Sequence, residues 1–292
     1  FLSFPSSESF GRFFEEISRL VEIMLPLGVE KVRITGGEPL LRKDIHKLIS
    51  MIAEHSNLDI ALTTNGSLLA KHAKILADAG LNRVTVSLDS LDDEVFKAMN
   101  DVGISVESVL QGIEAAHLAG LEVKLNAVIK KDVNDDSVDK MVAFFKGTPY
   151  TLRFIEYMDV GSTNGWKSEN VITGDEILAK INRYESLESL KPNNHGEVAK
   201  RWKYSEAEGE IGFINSISQP FCGDCNRVRI SADGKLFTCL FATQGHDLRH
   251  MLRNGSTDAE IRKTICDIWS KRNDRYSEER KLNANESPKV EM

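Results

Sequence analysis

The strands of this chain alternate polar and apolar residues, which is the feature that most restricts its fold. Strand-like runs at 31–35, 59–65, 83–89, 122–129 and 151–158 are separated by helical patterns near 43–55, 67–79, 105–119 and 134–146. Strand, helix and strand at such spacings predict parallel strands with helical crossovers. A sheet covered by helices on both faces has strands that are apolar throughout. The alternation therefore indicates one covered face and one polar face.

A barrel satisfies this pattern, with helices outside and polar side chains facing the interior, which we call the lumen. Ordinary (β/α)8 barrels fill the interior with branched apolar residues. A polar lumen therefore predicts a cavity for a polar ligand. Five strands are too few for closure, so we expect a partial barrel or one whose first strand is missing.

Composition and charge exclude several functional classes. The 292 residues are 41% hydrophobic and 28% charged, with a formal net charge of −7. An acidic chain lacks the basic field typical of nucleic-acid binding proteins, so no nucleic-acid partner is expected. Neither a membrane span nor a signal peptide is evident, and we expect a cytoplasmic protein.

Three of the four cysteines, Cys222, Cys225 and Cys239, lie close together in the sequence. Two thiols separated by two residues can bind one metal centre, because the chain between them turns tightly. Asp233-Gly234 predicts a hairpin turn that returns the third thiol to the first two. Three thiolates suit a [4Fe–4S] cluster with one open iron. A structural zinc needs a fourth ligand, which Cys266, His246 or His250 would have to supply. Spacing alone leaves cluster and zinc open.

Cations on the strands point to an anionic ligand, and a glycine-rich turn is either an ordinary βα turn or a place where a ligand approaches the backbone. Thr35-Gly-Gly-Glu-Pro39 follows the first strand, where barrel enzymes bind ligands. Arg33, Thr63, Ser87 and Lys124 lie on the polar faces of four different strands. Buried cations are costly unless they meet anions, and a polyphosphate would meet that need. Arg227 and Arg229 add two guanidiniums beside the thiols.

The second half of the chain is less regular. Thr173–Glu176 and Thr257–Glu260 have capping-box spacing, which predicts two helix starts. We interpret 161–166 as a loop and 185–220 as irregular and polar, and we expect 271–292 to be mobile. The chain is thus divided into a partial barrel, 1–160, and a C-terminal extension, 161–292.

These motifs together resemble the GTP 3′,8-cyclase family of the radical S-adenosylmethionine (radical SAM) superfamily, also called the molybdenum cofactor biosynthesis protein A family. The resemblance runs from about Glu15 to the end of the chain. It rests on KVRITGGEPLLR at 31–42, LTTNG at 62–66, VSLD at 86–89, RFIEYMDVG at 153–161, GEVA at 196–199 and the cysteine stretch through Phe241. GGEP is common among radical SAM enzymes, whereas the combination is much more specific.

The resemblance implies an incomplete parallel (β/α)6 TIM-like barrel with a C-terminal cluster-binding extension. It implies a lyase that cyclises GTP to (8S)-3′,8-cyclo-7,8-dihydroguanosine 5′-triphosphate, the first step of molybdenum cofactor (molybdopterin) biosynthesis. A 5′-deoxyadenosyl radical takes hydrogen from ribose C3′, and the carbon radical attacks C8 of guanine. The implied partners are GTP, a downstream cyclic pyranopterin monophosphate synthase and a second copy in a homodimer.

The resemblance also implies residue roles. Gly37, Ser87 and Met158 would contact S-adenosylmethionine. The implied GTP ligands are Arg33, Thr63, Lys124, Arg227, Val228 and Arg229. Cys222, Cys225 and Cys239 would hold an auxiliary [4Fe–4S] cluster whose open iron takes guanine as a ligand.

The sequence departs from the family at both of its ends. The family holds its first cluster on a CxxxCxxC motif, and no cysteine precedes Cys222. We expect a chain truncated at its N-terminus, and slightly at its C-terminus, that binds GTP and one cluster but does not start the radical. A second cluster is expected only with that N-terminal segment.

Two alternatives remain. One is another radical SAM enzyme with an auxiliary cluster, which would not need four converging cations. The other is a zinc-ribbon binding module on an inert barrel.

Overall fold

The first half of the chain alternates helices and strands. The computed structural model describes residues 13–55, 57–100, 103–159, 166–193 and 196–283. The elements of the first half are α1 (Phe13–Met24), β1 (Lys31–Ile34), α2 (Ile45–Ala53), β2 (Asp59–Thr64), α3 (Leu69–Asp78), β3 (Arg83–Ser87), α4 (Asp93–Asn100), α5 (Val106–Leu118), β4 (Glu122–Ile129), α6 (Ser137–Phe145) and β5 (Thr151–Glu156). All five predicted strands are confirmed. Helix α4 was not predicted, because it is short and buries a single large side chain, Phe96.

The second half contains more regular structure than predicted. Its elements are α7 (Gly174–Ile181), β6 (Leu187–Leu190), β7 (Lys200–Tyr204), β8 (Glu210–Ile214), β9 (Arg229–Ile230), β10 (Lys235–Phe237), β11 (His246–Asp247), α8 (Leu248–Arg253), α9 (Asp258–Ser270) and α10 (Tyr276–Asn283). The interpretation of 185–220 as irregular was wrong, since three strands lie there. They are short, and charged residues occupy much of β7, which hides the usual strand pattern.

One sheet holds eight of these strands in the order β1-β2-β3-β4-β5-β8-β7-β6. The first six in this order run parallel, and β7 and β6 run antiparallel to their neighbours. Strand β8 therefore provides a sixth parallel strand, which the sequence pattern did not reveal. The described strands do not close into a ring, and the predicted partial barrel is confirmed.

The sheet crosses the predicted boundary at residue 160, because β8 pairs with β5 from Thr151↔Glu210 to Ile155↔Ile214. The predicted loop at 161–166 lies outside the described residues except for Trp166. The division into a barrel and an extension stays a prediction.

The two faces of the sheet differ as the alternation predicted. Ile34, Leu62 and Val86 are fully buried in one continuous core with α2, α3 and α5. Burying such a side chain stabilises the fold by about 1.5–3 kcal/mol. On the opposite face, Arg33 and Lys124 are half-buried, so this face is neither core nor open surface.

The C-terminal helices pack against α1 at the β1 end of the sheet. Leu20 and Ile23 of α1 form a second core with Leu248, Ile261 and Ile265. Arg253 Nε lies 2.8 Å from Glu16 Oε1 at the edge of this contact. The second half of the chain thus contacts the first half on two sides, through β8 beside β5 and through α8–α9 beside α1.

Local signals in the second half are confirmed. Thr173 and Thr257 form capping boxes at the starts of α7 and α9. Asp233-Gly234 turns the chain between the antiparallel β9 and β10, and Gly234 adopts a φ of 80° that favours glycine.

Helix α10 lies within 271–292, the segment expected to be mobile, and 284–292 lie outside the described residues. Among the described helices, none is long and apolar enough to cross a membrane.

Candidate functional site

The wall of the lumen brings predicted ligands from neighbouring strands together. Arg33 Nη1 on β1 donates to Thr63 Oγ1 on β2 over 3.4 Å. Arg153 Nη2 on β5 donates to Thr85 Oγ1 on β3 over 3.2 Å. Hydroxyls thus orient two guanidiniums across the polar face, without neutralising either charge.

The guanidiniums are crowded enough to depress one another's pKa. Burial and the neighbouring charges of Arg83 and Arg227 lower the pKa of Arg33 to about 10. Burial and the charges of Arg33 and Arg83 lower the pKa of Arg153 to about 9. Both groups stay protonated at neutral pH. The lumen therefore holds an excess of buried positive charge that an anion would stabilise.

Sequence reasoning missed Arg83 and Arg153 as site residues. Both lie on the polar face of their strands, Arg83 beside Thr85 and Ser87, and Arg153 within the RFIEYMDVG motif. The alternation that selected Arg33 and Lys124 was therefore sufficient to find them.

Lys124 lines a small polar cavity at the amino end of β4. Its Nζ lies 2.8 Å from Glu122 Oε1. The cavity has a volume of about 90 Å³, and Arg153 and Arg201 line it as well. Lys124 therefore faces the same interior as Arg153, as its strand position predicted.

The three residues predicted to contact S-adenosylmethionine lie at the carboxyl ends of strands. Gly37 follows β1, Ser87 ends β3, and Met158 follows β5. A Cβ placed on Gly37 would meet no atom within 4 Å, so open space lies against this backbone. Met158 packs beside Ile155 and Ile214. This end of a parallel barrel is where ligands bind.

Two carboxyl groups lie at the same strand ends. Glu38 links two loops: its Oε1 accepts hydrogen bonds from Leu40 N (3.0 Å) and Thr64 Oγ1 (2.8 Å), and its Oε2 accepts from Asn65 N (2.7 Å). Asp89 Oδ1 accepts from Val128 N over 2.8 Å, and burial raises the pKa of this carboxyl to about 6. Glu38 thus holds the glycine-rich turn against the loop after β2.

The thiol segment, which we define as residues 221–241, carries the three clustered cysteines. Cys222 O accepts a hydrogen bond from Cys225 N over 3.2 Å, which closes the predicted tight turn. All three thiols are partly buried. Cys225 and Cys239 both lie near enough to Arg229 to act on its pKa. Within the described part of the chain, no three His, Cys, Asp or Glu side chains are grouped closely enough for a metal ion.

The arginines of the thiol segment connect it to the lumen. The charge of Arg227 lowers the pKa of Arg33 on β1. The Arg227 guanidinium also lies 5.0 Å from the ring centre of Phe221, and its Nη2 donates to Cys225 Sγ over 3.6 Å. Burial raises the pKa of the Cys225 thiol, but the charges of Arg227 and Arg272 and hydrogen bonds from Arg227 outweigh burial, so the pKa is lowered. A lowered pKa favours the thiolate that binds metals.

Arg229 and Val228 take different positions. Arg229 is 7% exposed, and burial together with Arg227 lowers its pKa to about 10. Val228 packs against the core shared by α1 and the C-terminal helices. The structure thus places Arg227 near both Arg33 of the lumen and Cys225. It places Arg229 near Cys225 and Cys239, and packs the Val228 side chain against the core.

Residues near the end of the chain hold the thiol segment, which sequence reasoning did not foresee. Arg272 Nη1 donates to Cys225 O, and Glu278 Oε1 accepts from Gly223 N over 3.2 Å. The Tyr276 ring stacks on Phe241 with ring centres 4.4 Å apart, and its hydroxyl donates to Asp159 Oδ2 over 2.8 Å. These contacts join α10, the thiol segment and the chain just after β5.

Glu156 anchors the chain that leads into the thiol segment. Its carboxylate is 1% exposed and accepts from Gly174 N (3.0 Å), Ile217 N (2.7 Å), Ser218 N (2.8 Å) and the Ser218 hydroxyl. Backbone donors and the amino end of α7 therefore satisfy a buried charge at the end of β5.

Comparison with known proteins identifies the family. The family described as Radical SAM superfamily matches residues 8–145, and Molybdenum Cofactor Synthesis C matches 150–278. A GTP 3′,8-cyclase of Acidothermus cellulolyticus is 49% identical over 280 residues, covering 94% of this chain and 77% of the relative. The chain belongs to the GTP 3′,8-cyclase family.

Other relatives of this family are similar over most of their length. A GTP 3′,8-cyclase of Staphylococcus saprophyticus is 46% identical over 269 residues, covering 91% of this chain and 79% of the relative. One of Xanthomonas campestris pv. campestris is 46% identical over 281 residues, covering 96% and 82%.

Solved structures support the fold of this family member. Streptococcus suis SuiB matches with a TM-score of 0.59 and 18% identity, covering 86% of this chain and 61% of SuiB. SuiB bound to S-adenosylmethionine matches with a TM-score of 0.60 and 16% identity, covering 88% of this chain and 62% of SuiB. The chain thus spans about three-fifths of SuiB and shares its fold.

Proposed function

We propose that this chain carries the substrate-binding parts of the radical SAM cyclisation of GTP to (8S)-3′,8-cyclo-7,8-dihydroguanosine 5′-triphosphate, the first step of molybdenum cofactor biosynthesis. The observation that carries the proposal is the cationic lumen. Arg33 comes from β1, Arg153 from β5 and Arg227 from the thiol segment. The charge of Arg227 lowers the pKa of Arg33, and the charge of Arg33 lowers the pKa of Arg153. A triphosphate would provide the missing negative charge.

The residues of the wall orient the nucleotide. Arg33, Thr63 and Lys124, with Arg153, would bind the phosphates inside the lumen, and Arg227 and Arg229 would approach from the thiol segment. Arginine suits this role because its planar fork donates two hydrogen bonds to one phosphate. Fixing the triphosphate fixes the ribose and base relative to the barrel, which is the positioning that an intramolecular ring closure needs.

S-Adenosylmethionine would bind at the carboxyl ends of the strands, against Gly37, Ser87 and Met158. The open space where a Gly37 side chain would lie supports this assignment, because a ligand can approach the backbone there. Glu38 holds the Gly37 turn in place through Leu40, Thr64 and Asn65, so its role is to position the turn.

The thiol segment suits an auxiliary [4Fe–4S] cluster held by Cys222, Cys225 and Cys239. The donor chemistry fits, because the three thiols are partly buried, Cys225 and Cys239 both lie near Arg229, and the pKa of Cys225 is lowered. When bound, such a cluster supplies an open iron that takes guanine as a ligand. Arg227 and Arg229 would then bind the phosphates of the same molecule.

The proposal extends to partners. The cyclised nucleotide would be consumed by a cyclic pyranopterin monophosphate synthase, and the chain would act as a homodimer. Both assignments come from the family to which the chain belongs.

Equilibrium binding tests the proposal. The chain is reconstituted anaerobically with iron and sulfide and titrated with GTP, ATP and guanosine. We expect GTP to bind most tightly, ATP more weakly because it lacks the guanine groups, and guanosine most weakly because it lacks phosphates. About four irons per chain are expected, and one zinc with no preference for GTP would refute the proposal. The Arg33→Gln variant, which removes a proposed phosphate ligand, should weaken GTP binding.

A further inference from the structure

A third guanidinium faces the lumen and belongs to none of the assigned contacts. Arg83 begins β3, on the same face as Thr85 and Ser87, and is 8% exposed. Its Nη2 lies 2.5 Å from Asp59 Oδ2, whereas its buried Nε has no hydrogen-bond partner among the described residues. A donor buried without a partner costs about 1–3 kcal/mol, so this position is favourable only if something else accepts its hydrogen bond.

Arg83 lies between two other arginines of the wall, Arg33 and Arg153. Strand β3 is central among the five strands from β1 to β5. The charge of Arg83 lowers the pKa of Arg33 on β1 and of Arg153 on β5, so it is close to both. Asp59 faces this group of three guanidiniums and also lies 3.2 Å from Lys31 Nζ. Asp59 is thus shared with Lys31, while the charges of Glu122 and Glu197 offset part of the charge on Arg153.

The position of Arg83 at the amino end of β3 indicates which part of a nucleotide it would contact. Ser87, at the carboxyl end of β3, lies four residues further along the strand, a rise of about 13 Å. If the reacting ribose lies at the carboxyl ends, the phosphate chain extends towards the strand starts, where Arg83 lies. The phosphate furthest from the ribose then comes nearest to Arg83.

We propose that Arg83, held by Asp59 at the floor of the lumen, binds the terminal phosphate of the nucleotide and selects for the triphosphate. The proposal rests on the function proposed above. Asp59 is the positioning residue of the pair: it orients the guanidinium through Nη2 and leaves Nε for the phosphate.

The alternative is that Asp59 and Arg83 form an ion pair that only joins the starts of β2 and β3. The two roles predict opposite effects of the two partners. A purely structural pair is broken equally by Arg83→Gln and Asp59→Asn, and both changes lower stability without discriminating among nucleotides. A phosphate-binding Arg83 is lost in Arg83→Gln, whereas Asp59→Asn keeps an oxygen that can still accept from Nη2 and orient the guanidinium, and removes only a competing negative charge.

The experiment titrates GTP, GDP and GMP into the anaerobically reconstituted chain. We expect Arg83→Gln to weaken GTP binding about 10- to 100-fold and GMP binding less than about threefold, as for loss of a charge-assisted hydrogen bond. Asp59→Asn should leave GTP binding unchanged or tighten it severalfold. Arg253→Gln, an exposed arginine paired with Glu16, is the control and should bind all three nucleotides normally.

Arg83→Lys keeps a charge beside Asp59 and provides the measurement if Arg83→Gln does not fold. We expect it to weaken GTP binding severalfold and leave GMP binding unchanged. Normal GTP binding by the Arg83 variants, with weakened binding by Arg33→Gln, overturns the role of Arg83 and leaves the lumen as the GTP site. Normal binding by Arg33→Gln as well would instead refute the proposed function. Equal losses for all nucleotides in Arg83→Gln and Asp59→Asn would identify a structural ion pair and overturn the proposal.

Discussion

The strands of the lumen wall and the thiol segment hold their polar side chains in place by different means. In the wall, Arg33, Thr63 and Lys124 are placed by the backbone ladder, because register and alternation determine which face each side chain takes. In the thiol segment, β9 and β10 are two and three residues long. Contacts from Arg272 and Glu278 hold this segment instead.

The difference teaches where the site is sensitive to substitution. A wall residue can be replaced while the ladder keeps its neighbours in place. The chain that leads into the thiol segment is held by single side chains, and among those described above Glu156 accepts the most hydrogen bonds. Three buried or partly buried carboxyl groups, Glu156, Glu38 and Asp89, allow the two regions to be compared by the same type of substitution.

The largest effect is expected for Glu156→Gln. The amide keeps one acceptor oxygen, but its NH₂ group replaces the other, so two of the four donors lose their partner in a site that is 1% exposed. We expect a loss of about 2–4 kcal/mol in the free energy of unfolding, measured by urea denaturation. Amide hydrogen exchange should accelerate at residues 216–218.

The exposed Glu22→Gln is the control for Glu156→Gln and should leave both measurements unchanged. If exchange at 216–218 stays slow in Glu156→Gln, the segment is held by other contacts, and the contrast between the two regions is wrong.

The sequence predicted the wall far better than the thiol segment, for the same physical reason. Alternation within β1 and β4 is a local signal, so Arg33 and Lys124 were found from it, and Arg83 and Arg153 carry the same signal. The contacts of Arg272 with Cys225 and of Tyr276 with Asp159 join residues 47 and 117 positions apart. No periodicity records such pairs, and the charged composition of 271–292 suggested mobility instead.

The stability contributed by Asp89 should depend on pH. Its carboxyl accepts one backbone hydrogen bond, whereas the Glu156 carboxylate accepts four hydrogen bonds. Burial raises the folded-state pKa to about 6, above its ordinary value of 3.8. The folded chain therefore binds this proton more tightly than the unfolded chain. The free energy of unfolding falls as the pH rises from about 4 to about 6, because the carboxyl must then ionise in its buried site. Asp89→Asn removes this loss.

The measurement for Asp89→Asn is the free energy of unfolding between pH 4 and 8. The stability of the variant relative to the unchanged chain should rise between pH 4 and 6 by on the order of 2 kcal/mol and then stay constant. The exposed Asp78→Asn is the control and should show no such rise. A difference that is flat with pH would mean that Asp89 is not buried in its charged form.

Arg227→Ala tests whether the two regions form one site. Arg227 belongs to the thiol segment but lowers the pKa of Arg33 in the wall. We expect Arg227→Ala, and likewise Arg229→Ala, to weaken GTP binding about tenfold or more, or ~1.5 kcal/mol, while the iron content stays the same. Calorimetry and iron analysis on the same preparation separate the two effects. Unchanged GTP affinity would remove these arginines from the site.

The smallest effect is expected for Glu38→Gln, the counterpart in the wall of Glu156→Gln. The amide oxygen can still accept from Leu40 N and Thr64 Oγ1, and only the hydrogen bond from Asn65 N is lost. The parallel ladder between β1 and β2 already holds the two loops side by side. We therefore expect a loss of about 1 kcal/mol in the free energy of unfolding. Urea denaturation of Glu38→Gln and Glu156→Gln under the same conditions compares the two losses. Equal losses would show that the ladder between β1 and β2 does not help to hold the two loops, because the same substitution would then destabilise both regions equally.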